Sequence, residues 1–350
     1  MNKSKFKILF NYSCDISSSS FYGQLLRYSY LLTYPDQLRR ILGDDYEIIV
    51  PRTDSDVPKL AHDADVIIGL DSAFSPAVVE AAERVRLLQV FGAGVEGLPF
   101  DMLRGRKVYV ANMAGSYNSI SVAEHALALI LALAKRIVRR HNDLCVGKWM
   151  VTPSTELHDK VLGIVGLGNI GKEIAKRAAG FGMRIYATKR MPQDKIIKEF
   201  NLEFLGGPKD LDHLLKHSDF LVITVPLTSE TRGLIGEKEL KMMKSSSYLI
   251  NVSRGPVVRE EVLYLALREK WIAGAGIDAW YLYPPKSNAP SSLGLHLLEN
   301  VVGTPHIAGT TYASINNYLT TMSENIKRVR AGGEPISMVN INETTQAKLK

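Results

Sequence analysis

Cysteine is almost missing from this chain: only Cys14 and Cys145 occur in 350 residues. Two cysteines so far apart exclude a disulfide framework and a closed zinc site, and no metal is expected. Such sparing use points to a reducing compartment, so a cytoplasmic location is expected. No secretory signal is expected either. Met1-Asn2-Lys3-Ser4-Lys5 leads directly into a strand-like stretch, with no apolar core and no cleavage site. Long apolar runs are equally absent. The longest, from Ala126 to Ala134, is flanked by Glu124, His125, Lys135 and Arg136 and is far too short to cross a bilayer. There is no low-complexity tract, no internal repeat, no long basic run and no basic–aromatic alternation. The net charge of +7 therefore suggests an anionic small partner or an indifferent basic surface, and neither nucleic acid nor membrane is an expected partner.

What is present is hydrophobic patterning, with 46% hydrophobic and 23% charged residues in a chain long enough for two cores. Short apolar segments at 7–10, 46–50, 66–69, 87–91 and 108–111 read as strands, with helical segments such as 76–83 between them. A second alternation begins at Val161, with strands at 161–165, 184–187, 220–224, 248–251 and 275–277, and another near Val301. A final helix covers about 312–331. Repeated alternation implies parallel sheets covered by helices. The expected fold is α/β, with two Rossmann-like doubly wound domains. A central dinucleotide-binding domain spans 113–307, and 1–112 plus 308–350 form a split second domain. Between the alternations a helix is expected over about 121–144. Apolar residues nearly encircle 122–133, which suits burial between two bodies or two subunits. Ser119 or Ser121 would cap it, with Glu124 completing a capping box after Ser121.

The most specific local signal is Gly166-Leu167-Gly168-Asn169-Ile170-Gly171, which follows a strand and opens a helix. In that setting Gly166 permits a tight turn, Gly168 lets a pyrophosphate approach the backbone, and Gly171 lets helix and strand pack closely. The helix N-terminus then offers free N–H groups to phosphate. A glycine-bearing turn with no ligand is the alternative. The second strand of such a unit normally ends in a carboxylate that binds the ribose hydroxyls. Here it ends in Thr188-Lys189-Arg190. Two cations beside Thr188 suit a ribose 2′-phosphate, so NADP(H) is expected in preference to NAD(H). The competing reading is that Lys189 and Arg190 are solvated loop residues.

Several further blocks occur in order. They are Tyr117-Asn118-Ser119-Ile120-Ser121-Val122-Ala123-Glu124-His125, Val225-Pro226-Leu227-Thr228, Asn251-Val252-Ser253-Arg254-Gly255-Pro256-Val257-Val258, and Thr304-Pro305-His306-Ile307-Ala308-Gly309. With the glycine turn, they make the chain resemble the D-2-hydroxyacid dehydrogenases, a family that also includes glyoxylate/hydroxypyruvate reductases and phosphoglycerate, formate and phosphite dehydrogenases. The resemblance runs from about Phe91 to Ala331. It implies an oxidoreductase that moves hydride between a nicotinamide dinucleotide and a small 2-keto or 2-hydroxy acid, and it makes the split domain the substrate domain. Arg254 matches the substrate arginine, whose guanidinium fork can bind a carboxylate and polarise the adjacent carbonyl. His306 matches the general acid/base. Asp278 matches an aspartate that contacts the nicotinamide amide, and Val225, Pro226, Val252 and Ser253 fall in segments that line the cofactor. Val95, Glu96 and Asn118 align with segments that touch substrate. The resemblance also implies a homodimer, pairing through the helix that contains 122–133.

One position departs from the family. Five residues after Asp278 most members carry a glutamate that pairs with the histidine, and here that residue is Tyr283. A carboxylate would favour the protonated imidazole and hold its tautomer, whereas a neutral phenol can only hydrogen-bond it. A slip of alignment across residues 281–292 is the alternative, although no acid occurs between Asp278 and Glu299. The expected catalytic set is thus Arg254, His306 and Tyr283, with a weaker acid/base pair than usual. Formate-like hydride donation is a second reading, because formate dehydrogenases also lack that glutamate. A dinucleotide-binding scaffold or corepressor-like protein is a third.

Overall fold

A computed structural model describes residues 5–11, 33–113, 115, 117–283 and 289–342; Cys14 lies outside these. The chain divides into two compact units, one made of Met1–Tyr117 with Thr311–Lys350 and the other of Asn118–Thr310. The crossings fall a few residues later than the sequence suggested. Beyond its last strand the first unit keeps hold of the chain through Met113 N–H to Gly92 C=O (2.7 Å) and Asn112 N–H to Ser337 C=O (3.2 Å).

The first unit opens with β1 (Phe6–Asn11), α1 (Tyr34–Leu42), β2 (Tyr46–Ile49), β3 (Val66–Gly69), α2 (Pro76–Ala81), β4 (Leu87–Val90) and β5 (Tyr109–Ala111). Its five strands are parallel in the order β2-β1-β3-β4-β5. All four residues of β3 and of β4 are buried, Gln89 of β4 included, as in parallel strands covered on both faces.

The second unit begins with α3 (Ser119–Ala134) and α4 (Ile137–Cys145), then β6 (Val161–Val165), α5 (Asn169–Ala178), β7 (Arg184–Thr188), α6 (Asp194–Phe200) and β8 (Leu202–Gly206). It continues with α7 (Leu211–His217), β9 (Phe220–Ile223), α8 (Glu237–Met242), β10 (Tyr248–Asn251), α9 (Glu260–Arg268), β11 (Gly274–Ile277) and β12 (Val301–Gly303). Seven parallel strands run in the order β12-β11-β10-β9-β6-β7-β8. The order therefore reverses between β6 and β9, the kind of place where open α/β sheets form a crevice for ligands.

Three local expectations are corrected. The single helix over 121–144 is two helices, broken where Arg136 takes a left-handed φ of 53°. The cap of α3 is Asn118, with no side-chain capping bond, and Ser119 and Ser121 lie buried inside the helix. Glu124 faces Arg177 at 3.5 Å instead of closing a capping box. Third, Val122, Ala126, Leu129, Ile130 and Leu133 are buried in one core with Leu162, Ile164, Phe220 and Ile250 of the unit's own sheet. Each buried Leu or Ile contributes roughly 1.5–3 kcal/mol, so packing within the unit accounts for this apolar helix without a second subunit.

The chain returns to the first unit as α10 (Tyr312–Arg330), capped by the Thr311 side chain, which accepts from Ser314 N–H. Its residues Ile315, Leu319, Met322, Ile326 and Val329 share a core with Ile8, Phe10, Ile68 and Leu87. A buried amide pair adds direction: Asn325 Nδ2 donates to Gln89 Oε1 (2.8 Å), and Asn325 Oδ1 accepts from Ile336 N–H (2.7 Å). No described helix is long and apolar enough to cross a membrane.

Candidate active site

Strand ends decide where chemistry can gather in the second unit. The glycine turn follows β6, Thr188 ends β7, Val225 follows β9, Arg254 follows β10, Asp278 follows β11 and His306 follows β12. The strands are parallel, so all six positions lie along one edge of a single sheet.

The glycine turn tests its own fit to a dinucleotide. Gly166 has φ +99°, and a Cβ there would come within 2.6 Å of Val225 Cγ1, so the strand ends on either side of the order reversal leave no room for a side chain. A Cβ on Gly171 would sit 2.6 Å from Gly166 C=O. Both glycines are required by the protein's own packing. Gly168 is different: its φ of −89° suits any residue and a Cβ would meet nothing within 4 Å. Open space above a glycine that packing does not require is what a pyrophosphate needs, and the residues present fit that group. Asn169 and Ile170 begin α5, the former exposed and the latter half-buried.

Thr188 is 5% exposed, and its backbone carbonyl accepts from Gly166 N–H (3.1 Å) and Leu167 N–H (2.8 Å), bracing the turn. Lys189 reaches back so that Nζ donates to Leu167 C=O at 3.1 Å, which places its ammonium against the glycine turn. Arg190 is exposed beside it. Val225 is half-buried and Pro226 exposed, while Val252 and Ser253 are buried behind the turn that carries Arg254. Asn251 shapes that turn. Its Oδ1 accepts from Ser253 N–H (3.1 Å) and Ser253 Oγ–H (3.0 Å), and its Nδ2 donates to Arg254 C=O (3.0 Å). The Arg254 guanidinium donates to Ser253 C=O at 2.9 Å and is part-buried.

The segment carrying His306 is the most heavily braced part of this edge. His306 has φ +56°, a left-handed conformation that costs a residue with a Cβ of order 1–2 kcal/mol. Its neighbours over-determine it. Asp278 is fully buried; one carboxylate oxygen accepts from Thr304 Oγ–H (2.6 Å) and Ile307 N–H (2.9 Å), and the other from Ala308 N–H (3.0 Å). Trp280 Nε1–H donates to Thr304 C=O at 2.8 Å. Tyr283 Oη lies 2.8 Å from His306 Nδ1 and accepts from Trp280 N–H at 2.9 Å. The residue that replaces the family's glutamate therefore does meet the histidine. Asn118 lies against the same segment, since a Cβ on Gly309 would come within 2.6 Å of its Nδ2.

Arg254, His306, Tyr283, Asp278 and Asn118 thus all belong to the second unit. Val95 and Glu96 lie in the first, half-buried in the loop after β4. That loop is fastened by Gly97 N–H to Asp71 Oδ2 (2.8 Å) and by Asn112 Nδ2 to Ala93 C=O (2.9 Å). Sequence reasoning gave no role to Asn251, Thr304, Trp280 or His125. Only folded geometry shows that Asn251 shapes the turn of Arg254 and that Thr304 and Trp280 bond within the His306 segment.

Comparison with known proteins gives the family. A model of the "D-isomer specific 2-hydroxyacid dehydrogenase, NAD binding domain" matches residues 127–308. The chain is 35% identical over 285 residues to a glyoxylate reductase of Korarchaeum cryptofilum, covering 79% of this chain and 83% of that one. It is 32% identical to a D-3-phosphoglycerate dehydrogenase of Methanocaldococcus jannaschii, covering 87% of this chain and 57% of that one. In fold it is similar to the D-isomer specific 2-hydroxyacid dehydrogenase from Lactobacillus delbrueckii ssp. bulgaricus, with a TM-score of 0.73 at 24% identity, covering 95% of this chain and 99% of that one. With a dinucleotide turn at the order reversal, an arginine and a histidine at strand ends on either side of β11, and relatives matched over most of its length, the chain belongs to the D-isomer specific 2-hydroxyacid dehydrogenases, NAD(P)-dependent oxidoreductases of CH–OH groups.

Proposed function

We propose that the protein reduces a small 2-keto acid of the glyoxylate or hydroxypyruvate type with NADPH, giving the 2-hydroxy acid and NADP⁺. Its matches to glyoxylate reductases support the substrate class. The observation that carries the proposal is the common sheet edge: Arg254 and His306 follow β10 and β12, on either side of β11, and the glycine turn follows β6 of the same sheet. Bound reduced nicotinamide supplies the hydride. Arg254 binds the substrate carboxylate and polarises the keto oxygen, and His306 gives that oxygen a proton as it becomes an alkoxide. Tyr283 positions the imidazole in both of its protonation states. Its oxygen accepts from Nδ1–H of the imidazolium, and it goes on accepting from the Nδ1–H of the neutral ring that remains once Nε2 has given up its proton. Val95, Glu96 and Asn118 are assigned to the substrate side, and the split unit to substrate binding. Gly166, Gly168, Asn169, Ile170, Gly171, Thr188, Val225, Pro226, Val252 and Ser253 are assigned to the coenzyme. Asp278 serves both the nicotinamide side and the His306 segment.

Lys189 and Arg190 carry the coenzyme preference. A cation held against the glycine turn favours a ribose 2′-phosphate and offers no acceptor to a free diol. With glyoxylate as substrate, kcat/KM for NADPH should exceed that for NADH by about 10-fold or more, the worth of one charge-assisted contact. An NADH advantage overturns the preference. The neutral partner of His306 also favours a second reading, formate-like hydride donation, which releases no proton from the substrate carbon. Reduction of NADP⁺ by formate tests it. We further infer a cytoplasmic homodimer. The surface that supports it is the segment after α4, where Val146, Trp149, Met150 and Val151 are 61–88% exposed, and not the buried face of α3.

A further inference from the structure

His125 is absent from every role assigned so far, yet it lies in the network that fixes the His306 segment. It projects from α3 with a side chain 21% exposed, and its Nε2 lies 2.8 Å from Thr304 Oγ1 and 3.7 Å from Asp278 Oδ1. Hydrogen-bond direction follows from chemistry. The Asp278 carboxylate can only accept, so the single hydrogen of the Thr304 hydroxyl goes to it at 2.6 Å. Thr304 Oγ1 then has only lone pairs for His125, and Nε2 of His125 must carry the hydrogen. The result is a one-way chain, His125 N–H to Thr304 O–H to Asp278 carboxylate. The carboxylate is completed by the N–H groups of Ile307 and Ala308, the two residues that follow His306.

We propose that His125 is a positioning residue for His306, acting through Thr304 and Asp278 to hold the left-handed turn on which the imidazole stands. The inference rests on the reading of His306 as the proton donor. Thr304 and Asp278 bound that turn from both sides. Removing the His125 donor leaves a lone pair of Thr304 unpaired in a part-buried place and frees the hydroxyl to turn away from Asp278. The turn lies at the end of β12, whereas the glycine turn is at the end of β6, four strand neighbours away in the sheet order. Apart from Asp278, the residues assigned to the coenzyme lie outside this hydrogen-bond chain, so a fault at His125 should reach proton transfer with little effect on coenzyme binding.

The experiment compares His125→Leu, His125→Gln, Thr304→Val and His306→Gln in the full-length protein, measuring kcat and KM for glyoxylate, NADPH affinity by fluorescence, and Tm. His125→Leu should lower kcat about 10- to 100-fold, the scale of a small misplacement of a reacting group, while NADPH Kd stays within about 2-fold. His125→Gln returns an N–H to Thr304 and should recover most of the loss. Thr304→Val should match His125→Leu, and the double variant should be no worse than either, because both cut one chain. Equal loss in the Leu and Gln variants, or a wild-type kcat in His125→Leu, overturns the inference. His306→Gln separates the two ideas. If it is inactive while His125→Leu is normal, only the inference falls; if it retains full activity, the reading of His306 falls and the inference with it. Should His125→Leu fail to fold, the Thr304→Val and His125→Gln arms still decide.

Discussion

At the scale of single residues, the substitution of tyrosine for a carboxylate beside His306 is the feature with the sharpest consequences. The phenol oxygen is already committed to Trp280 N–H at 2.9 Å and meets His306 Nδ1 at 2.8 Å, so it is held in place independently of the histidine. Tyr283→Phe removes the contact with little change in shape and should lower kcat about 10-fold, the weight of one positioning hydrogen bond, with coenzyme affinity unaltered. Unchanged kinetics would remove Tyr283 from the mechanism. Tyr283→Glu makes the opposite change. Reduction needs protonated His306 and slows as pH rises through its titration; a neighbouring carboxylate favours the imidazolium. The alkaline limb of kcat/KM should therefore move to higher pH in Tyr283→Glu, and a shift to lower pH would contradict the assignment. The strand-end positions of Arg254, His306 and the glycines were legible in the sequence because each sits in a compact block with its own spacing. Thr304 and His125 lie 179 residues apart, and nothing local marks their contact. A buried hydrogen-bond network is written in the fold, not in neighbouring letters.

At the scale of elements, hydrophobic alternation located most strands to within a residue or two, because parallel strands buried on both faces leave an unmistakable apolar run. It missed β8, Leu202–Gly206, which lies at the sheet edge and carries Glu203 as its second residue. Glu203 faces outward to pair with Arg184 at 2.7 Å, so its charge masks a strand that is only partly buried. The break between α3 and α4 was hidden for a different reason. No glycine or proline marks it, and the left-handed turn falls on an arginine. The glycine turn offers a prediction at this scale that separates ligand from packing. Gly168→Val points a side chain into open space, so Tm should hold while NADPH Kd rises at least about 10-fold. Gly171→Ala pushes a methyl group to 2.6 Å from Gly166 C=O, and urea unfolding should show a loss of about 1–3 kcal/mol. Equal stability loss in both would mean that Gly168, too, serves only packing.

At the scale of the whole molecule, the two units have separate cores and differ in how the chain supplies them. The second is one continuous stretch, Asn118–Thr310, whereas the first is closed by α10 after that stretch has been traversed. The exposed apolar side chains after α4 bear on assembly. Trp149 is 83% exposed and Val151 88%, more apolar surface than solvent-facing loops normally carry. Sedimentation equilibrium should give the mass of two chains for the wild type and of one for a Trp149→Glu, Val151→Glu variant. A wild type that stays a single chain at micromolar concentration would place that surface elsewhere in the protein's life.

Gln89 and Asn325, joined at 2.8 Å across 236 residues of sequence, also set an order of events at the ribosome. The second unit has all of its strands once Thr310 has emerged, but the first cannot bury the apolar face of its sheet until α10 follows. The nascent chain must carry an unfinished N-terminal sheet through most of translation, a natural client for a holdase that shields Ile8, Phe10 and Leu87. Stalled chains ending near residue 310 should accordingly be cut by protease within the first 117 residues while the rest resists.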